Sequence, residues 1–542
     1  MSAILLAFAT LAGVASHLFF FKHGERHLYP LRYLQSFLLA CSIITIAQTY
    51  HADLSVSTAV AHTAKYASLY LCGLYGSLVI YRLSFNPLNK VPGPYWSRLS
   101  KFDFVRRAAP KMNSHQVLLD LHRQYGHFVR VGPNDVSITH PDAVEVILGN
   151  KSRCTKSSWY SLDHPSVSMH TTRDRTVHDR RRRIWSPAFS DRALRGYEER
   201  IRGYNDLLIR KLDESGGQPL DMAQWFNWYS FDVMGELGFG SSFNMLSSGE
   251  THWAIRILNA GMDPIGLCFP PWLFRVLIAI PGLSGDWWKF NDYAASQLDA
   301  RIKVQGKNEN PDITHFLLEQ YLKNDEATQK AQLPFLRADS KLIIVAGSDT
   351  TAATLVHLFY HLAVEPGLLD SLREEIDALV PPGKRIEHQQ IQDATLLNGA
   401  INETLRLHPP VPSGGFRKTP VEGLEIGGVY IPVNTVVQIP SWAMARDPSI
   451  WPSPESFVPE RYGSRSDLMP YPGAFAPFSI GPYACIGKNL AYMEVRMLVA
   501  QIVRMFDVRL AEGESGEDLL VGSKDHFTVG LGGLRMCFER RK

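Results

Sequence analysis

The 542-residue sequence predicts a mainly α protein with small β-sheets, preceded by one or more N-terminal membrane helices. The chain opens on a long apolar run without charged residues. Strand-like alternation appears early, at 128–132 and 135–139, and helical periodicity then dominates. With 45% hydrophobic and 11% aromatic residues the composition allows a large core. The net charge of +3 gives no reason to expect a nucleic-acid partner.

The N-terminal region predicts a membrane anchor. The first apolar run, about 2–21, is long enough to cross a bilayer as a helix. Lys22 follows this run instead of preceding it, which favours an uncleaved anchor over a signal peptide. Two shorter runs, about 33–50 and 66–82, either cross the membrane or lie on a surface. We therefore expect one to three spans within an anchoring region 1–84, and the basic residues beside the runs place the main domain on the cytosolic side.

The segment that follows is predicted to be a stiff hinge. Residues 85–95 contain Pro87, Pro92 and Pro94, and proline fixes φ and prevents a helix from continuing. The catalytic domain is expected over 96–542. The six cysteines are scattered and form no CxxC pair, which indicates a reducing compartment.

The strongest chemical signal is one cysteine between two glycines, directly before a helical pattern. Cys485 lies four residues after Gly481 and two before Gly487, and Phe478 lies seven residues upstream. Glycine lets the backbone approach a flat ligand, and amide groups at a helix N-terminus stabilise a thiolate. A cysteine alone is more often an ordinary buried side chain. The spacing here, together with three further motifs, favours a functional thiolate.

A second signal is a polar sequence within a long apolar helix, which we expect to open at Pro334. It contains Ala346, Gly347, Asp349 and Thr350. Glycine and threonine weaken helical hydrogen bonding, so the helix is predicted to bulge here and admit water. An acid beside an alcohol can relay protons, although such residues also occur on exposed helix faces. The apolar run just before them indicates a buried helix, in which a carboxylate needs a reason.

The other two motifs contain arginines. His178 and Arg182 are four residues apart and share a helix face, and we expect Arg182 alone of its basic run to turn inward. Glu403 and Arg406 are three residues apart, and Arg461 follows in a second motif about fifty residues later. Each of these pairs is a weak signal by itself, because exposed helices contain many similar pairs.

Together and in this order, the motifs resemble those of the cytochrome P450 family over roughly Arg82 to the C-terminus. The stretch around Cys485 matches the family pattern Phe-x-x-Gly-x-Arg/His-x-Cys-x-Gly except at Tyr483, which replaces the usual Arg or His. The resemblance implies thiolate-ligated haem b, iron protoporphyrin IX, with Cys485 as the iron ligand. The residues that it implies for binding the cofactor are Cys485, Phe478, Gly481, Gly487, His178, Arg182, Arg417, Ala346 and Gly347.

The resemblance also assigns roles to other residues. It implies that Asp349 and Thr350 deliver protons during oxygen activation. It joins Glu403, Arg406 and Arg461 in a buried structural triad. The positions at which family members contact substrate are the Ser157–Tyr160 region, Ile343, Ile344, Phe416 and Phe527, and plain core packing is the alternative for each of these.

The implied function is a membrane-bound monooxygenase that inserts one oxygen atom from O2 into a hydrophobic small molecule, by hydroxylation or epoxidation. The sequence around Cys485 is similar to fungal microsomal members that oxidise secondary metabolites such as terpenoids, indole alkaloids or polyketides. The expected partners are NADPH–cytochrome P450 reductase, with cytochrome b5 as a further donor, and membrane lipid. The expected location is the endoplasmic reticulum membrane, with the catalytic domain in the cytosol. Two alternatives are an isomerase or dehydratase of the same fold that needs no reductase, and a non-enzymatic haem-binding membrane protein.

Overall fold

The computed structural model describes residues 2–280, 282–304 and 311–541, so the predicted last residue of the catalytic domain, Lys542, lies outside it. The described residues form twenty α-helices and twelve β-strands. The helices are α1 (Ser2–Ser16), α2 (Pro30–His51), α3 (Val56–Ile80), α4 (Phe102–Ala108), α5 (Ser114–Tyr125), α6 (Ala143–Leu148), α7 (Arg175–Trp185), α8 (Asp191–Glu214), α9 (Met222–Phe239), α10 (Met245–Ser248), α11 (Trp253–Gly266), α12 (Pro271–Ile278), α13 (Gly285–Lys303), α14 (Ile313–Leu322), α15 (Glu326–Val364), α16 (Leu368–Leu379), α17 (His388–Ile391), α18 (Thr395–Leu407), α19 (Ser441–Ala445) and α20 (Lys488–Met505). The strands are β1 (Phe128–Gly132), β2 (Asp135–Ile138), β3 (Thr155–Lys156), β4 (Leu220–Asp221), β5 (Phe416–Lys418), β6 (Leu424–Ile426), β7 (Val429–Ile431), β8 (Val436–Gln438), β9 (Phe506–Leu510), β10 (Lys524–His526), β11 (Thr528–Gly530) and β12 (Arg535–Arg540).

The strands of the described residues form four small sheets at the edges of a helical core. The largest sheet has the order β1-β2-β8-β5-β3, in which β2 and β8 are parallel and the other neighbours are antiparallel. A second sheet has the order β4-β12-β9, and β6–β7 and β10–β11 are hairpins. The main hydrophobic core lies between α8, α9, α15, α18 and α20. The mainly α class with small sheets is confirmed.

Two N-terminal helices are long and apolar enough to cross a membrane, over Ile4–Phe21 and Pro30–His51. Among the described residues α15 meets the same criterion of length and composition. However, 67% of its apolar stretch is buried inside the protein, which makes it a core helix. In contrast, α2 has no buried residue, so its apolar side chains are free to face lipid.

Two helices begin earlier than predicted, because a capping side chain precedes each of them. Helix α3 begins at Val56 instead of residue 66, and Ser55 caps it by accepting a backbone amide hydrogen bond at 3.3 Å. Helix α15 begins eight residues before Pro334, and Asp325 caps it in the same way at 2.7 Å. Pro334 therefore lies inside the helix and does not open it.

Helices α1 and α3 approach each other very closely. A Cβ on Gly13 would lie 2.0 Å from the carbonyl oxygen of Tyr70, and a Cβ on Gly73 would lie 2.1 Å from that of Thr10. Small residues at such crossings let helices pack in lipid, where the hydrophobic effect gives no driving force between them. Because α2 also packs against α3, the three helices form a bundle.

The proline-rich segment 85–95 is fixed to the catalytic domain. Leu88 is buried, and the amide of Arg130 in β1 donates to the carbonyl of Pro92 at 2.7 Å. The guanidinium of Arg130 also donates to the side chain of Asn89 at 2.6 Å. Packing against β1 therefore holds this segment in addition to its prolines, and its role as a stiff hinge stays a prediction.

Candidate active site

A cavity of about 540 Å³ lies within the helical core. Its lining includes Ala346, Gly347 and Thr350 of α15 and Cys485 of the loop before α20. Cys485 is deep inside the protein, yet its side chain is exposed, because it faces this cavity and not packed protein atoms. The sequence motifs on α15 and around Cys485 therefore meet at one cavity.

The loop that carries Cys485 is held in place by its backbone. The amide of Cys485 donates to the carbonyl of Phe478 at 2.8 Å, and α20 begins three residues further on. Burial raises the pKa of the Cys485 thiol, whereas the amides of Gly487 and Lys488 and the nearby Arg182 oppose that rise. A metal ion deprotonates a coordinating thiol outright.

Gly481 has a structural reason to be glycine. Its φ is +68°, and a Cβ would lie 2.3 Å from the carbonyl oxygen of Leu148 at the end of α6. Gly481 does not line the cavity, whereas Phe478 and Gly487 do. Gly481 therefore lets the loop pack on α6, and its predicted contact with the cofactor stays a prediction.

Four basic side chains gather at one edge of the cavity. His178 and Arg182 come from α7, Arg417 comes from β5 and Lys156 comes from β3. Lys156 lies directly opposite Arg417 in the antiparallel pairing of β3 with β5. Arg182 donates to the carbonyl of Ala484 at 2.6 Å, which ties α7 to the cysteine loop.

Among the described residues, three of these four side chains lack a carboxylate partner, whereas His178 Nδ1 lies 2.9 Å from the carboxylate of Asp179. Within the described ranges, Lys156, Arg182 and Arg417 form no ion pair with a carboxylate, and the ammonium of Lys156 donates only to backbone carbonyls. Arg417 donates to the hydroxyl of Tyr160 at 3.0 Å, but its buried Nε has no partner. Burial lowers the pKa of Lys156 well below its usual value, and the charges of Arg417 and Arg182 lower it further. Buried cations of this kind need an anionic ligand.

Haem b fits these residues. Its two propionates are the anions that the orphaned Arg417 Nε and the unpaired Lys156 lack, and Cys485 offers a sulfur to the iron from the cavity wall. The residues that would hold the group are Cys485 at the iron, with Lys156, Arg182 and Arg417 at the propionates.

Tyr483 lies among these cations. Its ring contacts the ring of His178 edge to face at 4.6 Å, and the Lys156 Nζ and Arg417 Cζ atoms lie 4.8 and 5.0 Å from its centroid. An aromatic face attracts cations, so Tyr483 collects the basic side chains without adding a charge. Lys156 was not predicted from the sequence. The only signal in the sequence was Tyr483 itself, because the family pattern has Arg or His at that position and a tyrosine brings no positive charge to a propionate.

Arg181 is turned inward as well as Arg182. It forms an ion pair with Asp339 of α15, a buried carboxylate that also accepts a hydrogen bond from Trp185 Nε1 at 3.2 Å. The prediction that Arg182 alone of the basic run turns inward is therefore wrong, because α15 offers a buried acid to a second arginine.

The predicted acid and alcohol on α15 face different surroundings. The hydroxyl of Thr350 donates to the carbonyl of Ala346 at 2.8 Å, and the side chain lines the cavity. Asp349 does not line it, and its carboxylate accepts from the hydroxyl of Thr528 in β11 at 3.4 Å. Burial raises the pKa of Asp349 to about 7, and the Thr528 hydrogen bond opposes that rise.

The predicted bulge in α15 is not formed, since α15 is a continuous α-helix through this region. Gly347 lines the cavity, but it also accommodates α9, because a Cβ there would lie 2.5 Å from the sulfur of Met234. The small residue is therefore needed for helix packing as well as for the cavity.

The predicted triad is present. Arg406 makes two hydrogen bonds of 2.8 Å to the carboxylate of Glu403, and Arg461 Nε makes a third of 2.9 Å. All three residues are at most 2% exposed. The amide of Val458 donates to the same carboxylate at 3.0 Å, so α18 is joined to the segment around Arg461.

The predicted substrate positions divide into two groups. Trp159, Tyr160, Ile343 and Phe527 line the cavity, whereas Phe416 does not and instead packs against Trp159 with ring centroids 5.3 Å apart. Ser157, Ser158 and Ile344 do not line it, and Ile344 is fully buried in the main core.

The fold and site together define a thiolate-ligated haem protein, and comparisons with known proteins agree. The family model described as Cytochrome P450 matches residues 91–536. Cytochrome P450 monooxygenase lcsK of Purpureocillium lilacinum is 45% identical over 99% of this chain and 98% of that protein. Tryprostatin B 6-hydroxylase of Aspergillus fumigatus is 42% identical over 99% of this chain and 96% of that protein. A crystal structure of the cytochrome P450DA heme domain matches with a TM-score of 0.68 and 19% identity, over 83% of this chain and 98% of that one, which supports the fold.

The chain belongs to the cytochrome P450 family. It is a haem-thiolate monooxygenase, an oxidoreductase that binds haem b and acts on a hydrophobic substrate with O2 and an electron-donating partner. Its apolar N-terminal helices are consistent with a membrane anchor.

The cation cluster gives a prediction for cofactor retention. We expect the double variant Arg182→Gln, Arg417→Gln to lose haem readily, and Lys156→Met to lose it to a smaller extent. The apoprotein should lose little stability, because these cations donate only to neutral oxygens and no carboxylate in the described part of the chain pairs with them when no propionate is bound. The measurements are the haem-to-protein ratio after dialysis and the melting temperature of the apoprotein. Lys151→Met, at an exposed lysine, is the control, and unchanged haem content in the double variant would refute the assignment.

Proposed function

We propose that this chain hydroxylates a hydrophobic small molecule in fungal secondary metabolism. The observation that carries this proposal is the Cys485 side chain, which is open to a cavity that Thr350 also lines. When bound, thiolate-ligated haem iron activates O2 and favours cleavage of its O–O bond. The chain itself holds the substrate and moves protons. The Aspergillus fumigatus relative is named a hydroxylase, which favours hydroxylation over epoxidation.

An aromatic wall supports a planar group in the substrate. Trp159 and Phe527 line the cavity and their rings stack with centroids 4.7 Å apart, while Phe416, which does not line it, packs 5.3 Å from Trp159. The backbone of Phe527 has φ of +80°, and its amide donates to the carboxylate of Asp525 at 3.1 Å. A non-glycine residue with this φ persists only where its surroundings fix it. A fixed wall of this kind favours aromatic alkaloids or polyketides over saturated terpenoids.

Asp349 and Thr350 are the proposed route for protons. Thr350 presents its hydroxyl at the cavity, and Asp349 is the adjacent acid, which does not line the cavity but accepts a hydrogen bond from Thr528, a residue that does. A carboxyl with a pKa of about 7 can both give and accept a proton at neutral pH. Asp349 can therefore take up protons beside the cavity and pass them into it through Thr350, Thr528 or water.

We expect Asp349→Asn to lower product formation per NADPH consumed by about a hundredfold, a typical contribution of general acid catalysis.

The same variant should be more stable above neutral pH. In the folded chain the pKa of Asp349 is about 7, which lies above its ordinary value. Between about pH 4 and 7 the Asp349 carboxyl is therefore protonated in the folded chain but ionised in the unfolded chain. The stability contribution of Asp349 therefore falls over that interval and stays low above it, and asparagine removes this loss. Product yield and melting temperature would be measured from pH 6 to 9, with the exposed Asp292→Asn as control. A yield that keeps its wild-type level and pH profile would contradict the role.

The anchor is proposed to be the region 1–84, with the proline-rich segment 85–95 leading into the catalytic domain. The loop between α1 and α2 contacts that domain, because Glu25 forms a bidentate ion pair with Arg173 at 2.5 and 2.7 Å and a further pair with Lys418 at 3.1 Å. Burial raises the pKa of Glu25, but the hydrogen bonds and charges of these two cations outweigh it and lower that pKa to about 2. The pairs support a loop on the same side of the membrane as the catalytic domain.

We propose the endoplasmic reticulum membrane as the location and NADPH–cytochrome P450 reductase as the electron donor, with cytochrome b5 as a second donor. Arg180 and Arg183 are exposed on α7, which also supplies Arg182 to the cavity. They support an acidic partner on this face, since complementary charges speed the encounter of two proteins.

The function is tested by expressing the full chain with this reductase in a host without the metabolites, and feeding aromatic alkaloid, polyketide and terpenoid precursors. The expected result is a product one oxygen atom heavier, formed only with NADPH and O2. Product formed without NADPH would indicate the isomerase or dehydratase alternative. If the protein bound haem but converted none of the precursors and consumed no O2 when they were added, a non-enzymatic role would be favoured.

A further inference from the structure

A second feature of the cavity is a polar group in a mostly apolar wall. Lys341 of α15 and Asp163 form an ion pair that lines the cavity, and their side chains are 14% and 13% exposed. Trp287 Nε1 of α13 donates to Asp163 at 3.1 Å, and the Lys341 Nζ lies 4.7 Å from the Trp287 ring centroid. Nearby parts of the wall are apolar and come from α11 and α12, for example Leu258 and Phe274.

The position of this group relates it to the reacting end of the cavity. Lys341 precedes Ala346 by five residues on α15, which is roughly 7.5 Å along the helix axis. Val345 follows Lys341 by one helical turn and lines the same cavity. A substrate that reaches from Lys341 to the cavity floor therefore lies along α15, with its far end beside Ala346 and Thr350.

The chemistry of the pair defines what it can bind. An ammonium has three donors, and the pair with Asp163 uses one of them. The remaining donors can reach a hydrogen-bond acceptor in the cavity. Because Asp163 already neutralises the charge, a neutral acceptor suits the site better than a carboxylate. Stability alone is a weak reason for the pair, since apolar side chains often replace a buried ion pair without loss.

We propose that Lys341, positioned by Asp163 and Trp287, binds a neutral carbonyl group of the substrate, such as an amide, lactam or ester. The substrate class is thus a planar aromatic compound whose carbonyl lies roughly 7.5 Å from the carbon that is oxidised. This inference rests on the proposed function, because it assumes that the cavity holds the substrate. It adds a specificity residue that distinguishes carbonyl compounds from hydrocarbons of the same shape.

The test uses N-alkylimidazoles, whose ring nitrogen binds the haem iron and changes its absorbance. One set carries a secondary amide in the alkyl chain at several tether lengths, and the matched set carries CH2 in place of the carbonyl. With wild-type holoenzyme we expect about tenfold tighter binding of the amide at the best tether length, from one hydrogen bond to a charged donor. Lys341→Met should remove this preference and leave the affinity of the CH2 compound nearly unchanged. Lys330→Met, an exposed lysine on the same helix, is the matched control.

Asp163→Asn gives an independent outcome. Without the carboxylate, the uncompensated Lys341 charge should shift the preference from the amide to a carboxylate on the same tether. A purely structural pair would instead weaken all probes equally, and that result would overturn the proposal, as would an absent amide preference in the wild type. If no imidazole changed the spectrum, the proposed haem-thiolate function would have failed, which is distinguishable from failure of the carbonyl site.

Discussion

Replacing Cys485 with alanine is expected to abolish the red-shifted Soret band that a thiolate-ligated haem gives when it is reduced and bound to CO. Cys485 is the cysteine whose side chain faces the cavity next to the α15 motif. Alanine removes the sulfur but leaves the backbone bond to Phe478 and the cation cluster in place, so some haem can still bind. Product formation should be lost entirely, because the push of electron density from the thiolate is lost. Absorbance of the reduced CO complex and product analysis are the measurements.

The chain offers a control for this substitution. Cys72 lies on α3 and is exposed, so Cys72→Ala removes a thiol without affecting the cavity. Its spectrum and activity should equal those of the wild type. If Cys485→Ala kept the red-shifted band, another residue would be the ligand, and the assignment of the whole site would have to be abandoned.

Local spacing in the sequence was enough to predict the parts of the site that lie on one element. The loop at Cys485, the polar residues of α15 and the Glu403–Arg406 pair each occupy a few consecutive turns or loop positions. Their geometry follows from helix periodicity and from glycine backbone freedom. The order of these motifs identified the family, and the mainly α fold was predicted from the helical periodicity that follows two short strand-like segments.

The residues that were not predicted are those whose partners are distant in sequence. Lys341 and Asp163 are 178 positions apart, and Arg181 and Asp339 are 158 apart. Lys156 is placed opposite Arg417 by the pairing of two very short strands. Nothing in the local pattern marks these residues, because each looks like an ordinary charged side chain until the fold brings in its neighbour.

At other positions the structure adds a neighbour that local spacing could not predict. Gly481 was expected to touch the cofactor, but the backbone of Leu148 is what excludes a side chain there. Asp349 was expected to deliver protons together with Thr350, and its hydrogen-bond partner Thr528 could not be predicted, because it lies 179 positions away. A residue type predicts the kind of constraint at a position, whereas the neighbour that imposes it depends on packing.

The triad of Glu403, Arg406 and Arg461 gives the second large expected effect, on folding. Glu403 is fully buried and accepts hydrogen bonds from both arginines and from Val458. Arg406 and Arg461 in turn donate to several backbone carbonyls of the segment 445–468. We expect Glu403→Ala to lower the free energy of unfolding by about 3–5 kcal/mol, because two buried arginines lose their counter-charge. This is a large part of the stability of a typical domain.

The effect should reach the cofactor, because the triad is joined to the cysteine loop. Asn402, next to Glu403, accepts from Tyr492 of α20 at 2.5 Å, and the Tyr492 ring lies 5.2 Å from that of Phe478. Glu403→Ala should therefore accumulate little haem-bound protein, and what accumulates should unfold at lower denaturant concentration. Glu319→Gln breaks an exposed pair with Lys323 and should change neither haem content nor the unfolding midpoint measurably. If Glu403→Ala matched that control in both measurements, the triad would not be what holds the Cys485 loop in position.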